Sequence, residues 1–137
     1  MHAPLRIFST KSFQAGNIRS FMKEFESDVI HLLITDGIMS DFRHEFTRDE
    51  LGIIMVQRIL TSFQLQKILM DSDDKPHYLA LASGVVSSWP GSIVASIYDI
   101  VRIMTYYHGC PVYMNIIGDP GIMSRYLGNR TINGGMI

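Results

Sequence analysis

The apolar residues of this chain gather into short, mostly uninterrupted runs that have the length of buried β-strands. Val29–Ile34, His77–Ala82 and Pro111–Ile117 are the three clearest runs, and each is followed within two residues by Asp, Ser or Gly. Because both sides of such a strand are apolar, these runs are typical of the interior of a parallel sheet. Leu5–Phe8 predicts a shorter first strand, and Thr131–Ile137 predicts a last one.

Between the strands, apolar residues recur at every third or fourth position, which is the spacing of a helix with one buried face. One such helix is predicted from Asn17, which we assign as its N-cap. Thr47 and Glu50 have the spacing of a capping box, and the periodic residues after them predict one helix that ends near Met70. An acidic turn then separates this helix from the next strand.

Two loops rich in Gly, Ser and Pro follow predicted strands. Ser83–Ser92 leads into a helix over Ile93–Met104, with Ser92 as its N-cap, and Gly118–Gly121 leads into a short helix over Ile122–Leu127. Residues of these types favour turns and leave backbone N–H groups open. Since the carboxyl ends of parallel strands meet at one edge of a sheet, we expect both loops to face one cleft, which is the candidate site.

The alternation of strands and helices predicts an α/β fold with a mostly parallel sheet built from βαβ units. The length of 137 residues suffices for one domain with one core. Apolar residues make up 47% and charged residues 18%, which is a globular composition. We therefore expect a single domain over residues 1–137.

Charge and hydropathy narrow the classes of partner. The formal net charge is −1, and the Lys and Arg residues are scattered, which argues against nucleic acid as a partner. Nine methionines and a mean hydropathy of +0.14 indicate apolar surface in excess of what a small monomer needs, and this favours self-association.

The cysteine content and the hydropathy profile indicate the cellular compartment in which the protein is expected. Cys110 is the single cysteine, so no intramolecular disulfide forms and a reducing compartment fits best. No apolar run has the length of a membrane span, and the first residues lack the apolar core of a signal peptide. We predict a cytoplasmic protein without a membrane partner.

The two loops are the candidate ligand-binding elements. Gly84 and Gly91 are the residues best able to expose N–H groups to an oxyanion or a phosphate. Ser124 has two interpretations, a nucleophile raised after a strand or a surface or capping serine, and spacing favours the second. None of the five histidines forms an obvious dyad with Ser124, and no metal-binding or nucleotide-binding motif occurs. We expect no metal and no cofactor.

The strand, the Pro-Gly-Ser turn and the helix with Ile-Tyr-Asp resemble the proteolytic subunit of the Clp protease, ClpP, of the ClpP/crotonase superfamily. The resemblance extends over roughly residues 28–137, with residues 1–27 as an N-terminal segment, and implies a fold of repeated β-β-α or βαβ units. The matching residues are Tyr78-Leu79, Ser83, Pro90-Gly91-Ser92, Ile97-Tyr98-Asp99, Ile116-Ile117-Gly118 and Met123.

This resemblance implies a subunit of a ring-shaped serine peptidase assembly, homo- or hetero-oligomeric, with an ATP-dependent unfoldase as a possible partner. Ser124 would be the nucleophile, and the backbone amides of Gly91 and Arg125 would be its oxyanion donors. The family pattern continues past the position of Ile137 into its catalytic histidine and aspartate. We therefore expect a truncated, catalytically impaired or non-catalytic subunit.

Two alternatives belong to other functional classes. The first is a small-molecule binder with a crotonase-like or flavodoxin-like sheet, in which the loops hold a phosphate or an acyl-CoA thioester. The second is a non-enzymatic oligomeric interaction protein that buries its methionine-rich surface. The loop residues that would contact a ligand are Gly84, Gly91, Ser92, Gly118, Gly121 and Arg125.

Overall fold

The structure, a computed structural model, describes residues 3–36, 38, 44–72 and 74–126. Five strands alternate with five helices, and a 3-10 helix follows at Gly121–Tyr126. The strands are β1 Leu5–Thr10, β2 Ile30–Thr35, β3 Ile54–Ile59, β4 His77–Ala82 and β5 Val112–Ile117. The helices are α1 Ala15–Glu24, α2 Arg48–Ile53, α3 Ser62–Met70, α4 Ser83–Val86 and α5 Gly91–Tyr106.

The five strands form one all-parallel sheet in the order β1-β5-β4-β2-β3. This confirms the predicted α/β fold, and the unit is βαβ because a helix separates each strand from the next. β4 and β5 are neighbours along their whole length, and Ala82 pairs with Ile117 at their carboxyl ends. β1 and β3 are the two edge strands.

Apolar side chains alternate between two cores, one on each face of the sheet. Along β4, Tyr78 and Ala80 point to the first face, whereas Leu79 and Leu81 point to the second. Helices α1 and α2 pack on the first face, whereas α3, α5 and the 3-10 residue Met123 pack on the second. Burial on both faces explains why β2, β4 and β5 are apolar almost throughout.

The single helix predicted from the capping box to Met70 is wrong. The capping box of Thr47 and Glu50 forms, but helix α2 ends at Ile53 and the chain continues directly into strand β3. β3 is an edge strand whose four middle residues are exposed or only partly buried, so its polar residues break the uninterrupted apolar pattern of the interior strands. Thr61 then caps the separate helix α3 through its side chain.

Other predicted boundaries also shift. Helix α1 begins at Ala15 with Gln14 as its N-cap, so Asn17 is a buried residue of the helix and not its cap. Pro90 is the N-cap of α5, so Ser92 lies within the helix and does not cap it. Residues 83–86 form helix α4 rather than open loop. The predicted last strand, residues 131–137, lies outside the described residues.

Candidate functional site

The two Gly-containing loops start side by side at the carboxyl edge of the sheet, because they leave the neighbouring strands β4 and β5. Ser83 and Gly118 are the residues at which they meet. The backbone of Gly118 has a φ of +108°, a conformation that side chains disfavour. A Cβ atom at Gly118 would overlap the hydroxyl oxygen of Ser83 and would lie 3.3 Å from the Ser83 Cβ. The backbone conformation therefore favours glycine at this position, and the contact with Ser83 adds a smaller preference.

The helices that follow these two strands lie on the same face of the sheet. In an open α/β sheet, ligand crevices form where neighbouring strands send their connections to opposite faces. β3, β4 and β5 lead to the second face, whereas β1 and β2 lead to the first. This rule places crevices between β2 and β4 and between β1 and β5, on either side of the two predicted loops, and also between β2 and the edge strand β3.

The β2/β4 crevice is bordered by hydroxyl and charged groups. The Thr35 hydroxyl oxygen accepts a hydrogen bond of 2.7 Å from the Ala82 amide, which ties the ends of the two strands together. Asp36 follows Thr35 and forms an ion pair with Arg58 of β3, with an Nε–Oδ1 distance of 2.6 Å. Ser83 completes the border as the first residue of α4.

The β1/β5 crevice has a buried polar floor. The Thr10 hydroxyl lies 3.1 Å from Asn115 Oδ1, and Asn115 Nδ2 donates to the Tyr78 hydroxyl at 3.0 Å. The Gly118 amide donates to the Thr10 carbonyl at 2.8 Å. Burial raises the pKa of Tyr78 well above its usual range, so the phenol stays neutral. These bonds hold the floor of the crevice in one arrangement.

The helix N-termini at this edge differ in how their amides are satisfied. Thr47 and Thr61 cap α2 and α3 through their side chains. Helices α1 and α5, the two longest, have no side-chain cap and no acidic residue in the first turn. The Asn17 amide donates to the Gln14 carbonyl, and the Ile93 and Val94 amides donate to the Pro90 carbonyl. In α5 the Gly91 and Ser92 amides therefore carry the positive partial charge of the helix end.

The predicted nucleophile Ser124 is exposed on the 3-10 helix, next to the buried Met123. His31 and His77 lie near the amino ends of β2 and β4, so the length of a strand, about 17 Å, separates them from the carboxyl edge. His108 follows α5 at the amino edge too. The structure does not bring these histidines to Ser124, and its role as a nucleophile stays a prediction.

The other predicted ligand-binding residues lie on the exposed part of this edge. Gly84, Gly91 and Ser92 are exposed, the first in α4 and the other two in the first turn of α5. The Gly121 amide donates to the Asp119 carboxylate at 3.1 Å, so it is engaged within its own loop. Arg125 is exposed beside Ser124.

The structure places a histidine beside Cys110, the single cysteine of the chain. The Cys110 thiol lies 3.3 Å from Nδ1 of His77, and the His77 ring packs against the His31 ring with 4.9 Å between centroids and an interplanar angle of 55°. Both the thiol and the His77 imidazole approach the Lys75 carbonyl, at 2.9 and 2.5 Å. The Lys75 carbonyl accepts from the thiol, and also from His77 Nδ1 when that nitrogen carries the proton, so these contacts hold the cluster at the amino edge. Only the pairings of β4 with β2 and with β5 reveal the cluster.

Within the part of the chain that the structure describes, no three His, Cys, Asp or Glu side chains are grouped so as to hold a metal ion. In the same part, every helix is too short or too polar to span a lipid bilayer. Neither a protein family model nor a curated protein sequence matches this chain.

Proposed function

We propose that this chain is a cytoplasmic α/β domain that binds a small ligand through an anionic group, a phosphate or a carboxylate, at the carboxyl edge of its sheet. The observation that carries the proposal is the N-terminus of α5, which has no side-chain cap and follows β4 through the short helix α4. A long helix whose first turn has no side-chain cap and no acidic side chain favours an anion there.

The strand order supports the same location by analogy of fold. Strands β3-β2-β4-β5 have the order 2-1-3-4 of a flavodoxin-like sheet, with β1 in the place of its fifth strand. In that sheet a phosphate-bearing cofactor binds at the switch point that corresponds to β2/β4. Fold alone does not define a ligand. The class of ligand therefore has to be inferred from the polar groups at the carboxyl edge of the sheet.

The polar groups around the crevice fit an anionic ligand that also carries hydroxyl or amide groups. Ser83 and Ser92 provide hydroxyl donors, and the Asp36 carboxylate is compensated by Arg58. Nucleotides and acyl-CoA thioesters have this combination, and both belong to the proposed class of ligand.

An acidic substitution in the first turn of α5 tests this proposal. Ser92→Asp places a carboxylate where the anion would bind, so we expect at least about a fivefold loss of affinity for phosphate compounds. The same carboxylate complements the helix dipole, so the free energy of unfolding should rise by about 0.5 kcal/mol. Calorimetric titration with inorganic phosphate, ATP and acetyl-CoA measures the first effect, and urea denaturation measures the second.

Two controls separate the local effect from net charge. Lys23→Gln changes the net charge by the same amount but lies in the last turn of α1, at the amino edge. Ser92→Asn replaces the hydroxyl donor by an amide donor without adding charge, so it should lose less affinity than Ser92→Asp. Lys23→Gln should bind like the parent protein. Equal weakening by Lys23→Gln, or no binding of any of the three compounds by the parent, would overturn the proposal.

A ClpP-like subunit is the second candidate function, and one observation favours it. The segment with the resemblance folds as a buried strand, the short helix α4 and a 16-residue helix, with Pro90-Gly91-Ser92 at the start of the long helix. In this proposal the chain assembles into a homo- or hetero-oligomeric ring, docks an ATP-dependent unfoldase, and is a serine peptidase subunit with impaired or absent catalysis.

Labelling and mass measurements distinguish this candidate from the first. A fluorophosphonate probe that modifies the parent protein but not Ser124→Ala would support a serine nucleophile. Light scattering that gives the mass of a ring, without labelling, would support a non-catalytic subunit. A small assembly that the probe leaves unmodified contradicts the ClpP-like candidate.

A further inference from the structure

The outer face of α5 carries a stripe of four residues, of which three are exposed and Ala95 is half-buried. Ala95, Asp99, Arg102 and Tyr106 follow one another at helical spacing on the side opposite the buried residues of the helix. Tyr106 is 55% exposed, and Ile103, next to the stripe, is 48% exposed. Large exposed apolar side chains on one helix face are typical of an interaction surface.

The two charges on this stripe are not paired with each other. The Arg102 guanidinium lies over the Tyr98 ring, 5.6 Å from its centroid, in a cation–π contact. Asp99 is exposed and forms no ion pair with any residue that the structure describes. One turn of helix thus presents a separate acid and base to solvent.

The stripe is self-complementary under a two-fold rotation. Asp99 and Arg102 are equally far from a point between Ile100 and Val101, and so are Ala95 and Tyr106. If a second α5 packs antiparallel across this point, each acid meets a base and each large ring meets a small side chain. A two-fold interface requires this reciprocal matching, in which residue i contacts j and j contacts i.

Clefts on both sides of the helix can accept the protruding side chains of a partner. One of about 490 Å³ lies between α5 and the end of α3, and one of about 550 Å³ lies between α5 and β1. Ile103 lines both clefts, so it stands on the ridge between them, whereas Asp99, Arg102 and Tyr106 line the wall of the second cleft. A ridge flanked by grooves is the geometry in which two helices interlock.

We propose that the outer face of α5 binds a second copy of this chain in an antiparallel, two-fold dimer, with Asp99 of each copy paired to Arg102 of the other. Charge complementarity favours a second copy over an unrelated partner, because an antiparallel second α5 places its Arg102 opposite Asp99 and its Asp99 opposite Arg102. One helix of 16 residues offers a small contact area, so the dimer is of the weak, reversible class.

Charge reversal tests the pairing directly. Asp99→Arg places like charges opposite each other at both symmetric contacts, and so does Arg102→Asp. Each variant should therefore weaken dimerisation about tenfold. An equimolar mixture of the two variants restores opposite charges at both contacts, so it should form a heterodimer about as tight as the parent dimer. Sedimentation velocity over a wide range of protein concentration measures all three samples.

A matched control and two outcomes complete the test. Glu26→Arg makes the same change of net charge as Asp99→Arg, but on an exposed loop away from α5. This control should dimerise like the parent protein. A parent protein that stays monomeric at the highest concentration overturns the proposal. The outer face of α5 would then bind a partner other than a second copy. A dimer that neither variant weakens, or a mixture that stays dissociated, refutes the Asp99–Arg102 pairing.

Discussion

Replacement of Gly118 by alanine should destabilise the protein through the backbone at the junction of the two loops. Its φ of +108° lies outside the left-handed helical region, where a Cβ atom already costs about 1–2 kcal/mol. The added methyl group would also overlap the Ser83 hydroxyl. This second cost is small, because a serine hydroxyl rotates away cheaply. We expect Gly118→Ala to lower the free energy of unfolding by about 2–3 kcal/mol.

Trp89 provides the measurement. It is the single tryptophan and is only 9% exposed, so its fluorescence reports loss of the second core. In urea, where the slope of the unfolding free energy is about 1–3 kcal/mol per molar, the midpoint should fall by about 1 M with an unchanged slope. The melting temperature should fall by about 10 °C.

Two further variants separate backbone strain from the side-chain contact. Gly52→Ala adds a methyl group in helix α2 with no atom within 4 Å, so it should be neutral or stabilising by up to about 1 kcal/mol. The double change Ser83→Ala with Gly118→Ala removes the overlapping oxygen and should recover less than about 1 kcal/mol. A stability of Gly118→Ala within about 0.5 kcal/mol of the parent would refute the reasoning.

Three further predictions concern buried or paired groups. Arg19 and the Thr47 amide lower the pKa of Glu50 to about 2, so Glu50→Gln should reduce stability at neutral pH. The deficit should vanish as the pH falls from about 4.5 through about 2, which urea titrations across this range would show. Tyr78→Phe leaves the Asn115 amide without its acceptor and should cost about 1–3 kcal/mol in the same assay. Cys110 is 1% exposed, so a disulfide reagent should modify it far more slowly in the native protein than in urea.

The first two of these predictions have a control variant, and the third has a result that would contradict it. Glu26→Gln removes an exposed carboxylate, and a pH dependence equal to that of Glu50→Gln would contradict the role of the ion pair. Tyr113→Phe removes a hydroxyl that donates to the exposed Glu24, so it should cost less than Tyr78→Phe. Equal costs would argue against the buried Asn115 as the cause. Rapid modification of the native thiol would contradict the burial of Cys110.

The sequence predicted the interior strands well because the evidence for them is local. β2, β4 and β5 lie within one or two residues of the predicted runs, and α5 covers the whole predicted helix. A strand buried on both faces has to be apolar at nearly every position. This requirement is visible without knowledge of the neighbouring strands.

The edge strand β3 could not be predicted in the same way. Its sequence, IMVQRI, has apolar residues at spacings that also fit a helix, and a good helix cap precedes it. Pairing with β2 over all six residues decides the strand. Local propensity is a weak preference, and a ladder of backbone hydrogen bonds to a neighbour overrides it.

For the candidate site, the sequence by itself determined the kinds of groups at the carboxyl edge of the sheet. These groups belong to two loops with Gly and Ser that follow the carboxyl ends of two strands. Only the tertiary structure decided where a crevice opens, since this depends on the face to which each connection runs. The pairings of His77 with Cys110 and of Ser83 with Gly118 likewise join residues more than thirty positions apart. Hydrophobic periodicity and turn chemistry act between sequence neighbours, whereas strand order and helix placement depend on which distant segments bury each other's apolar surface.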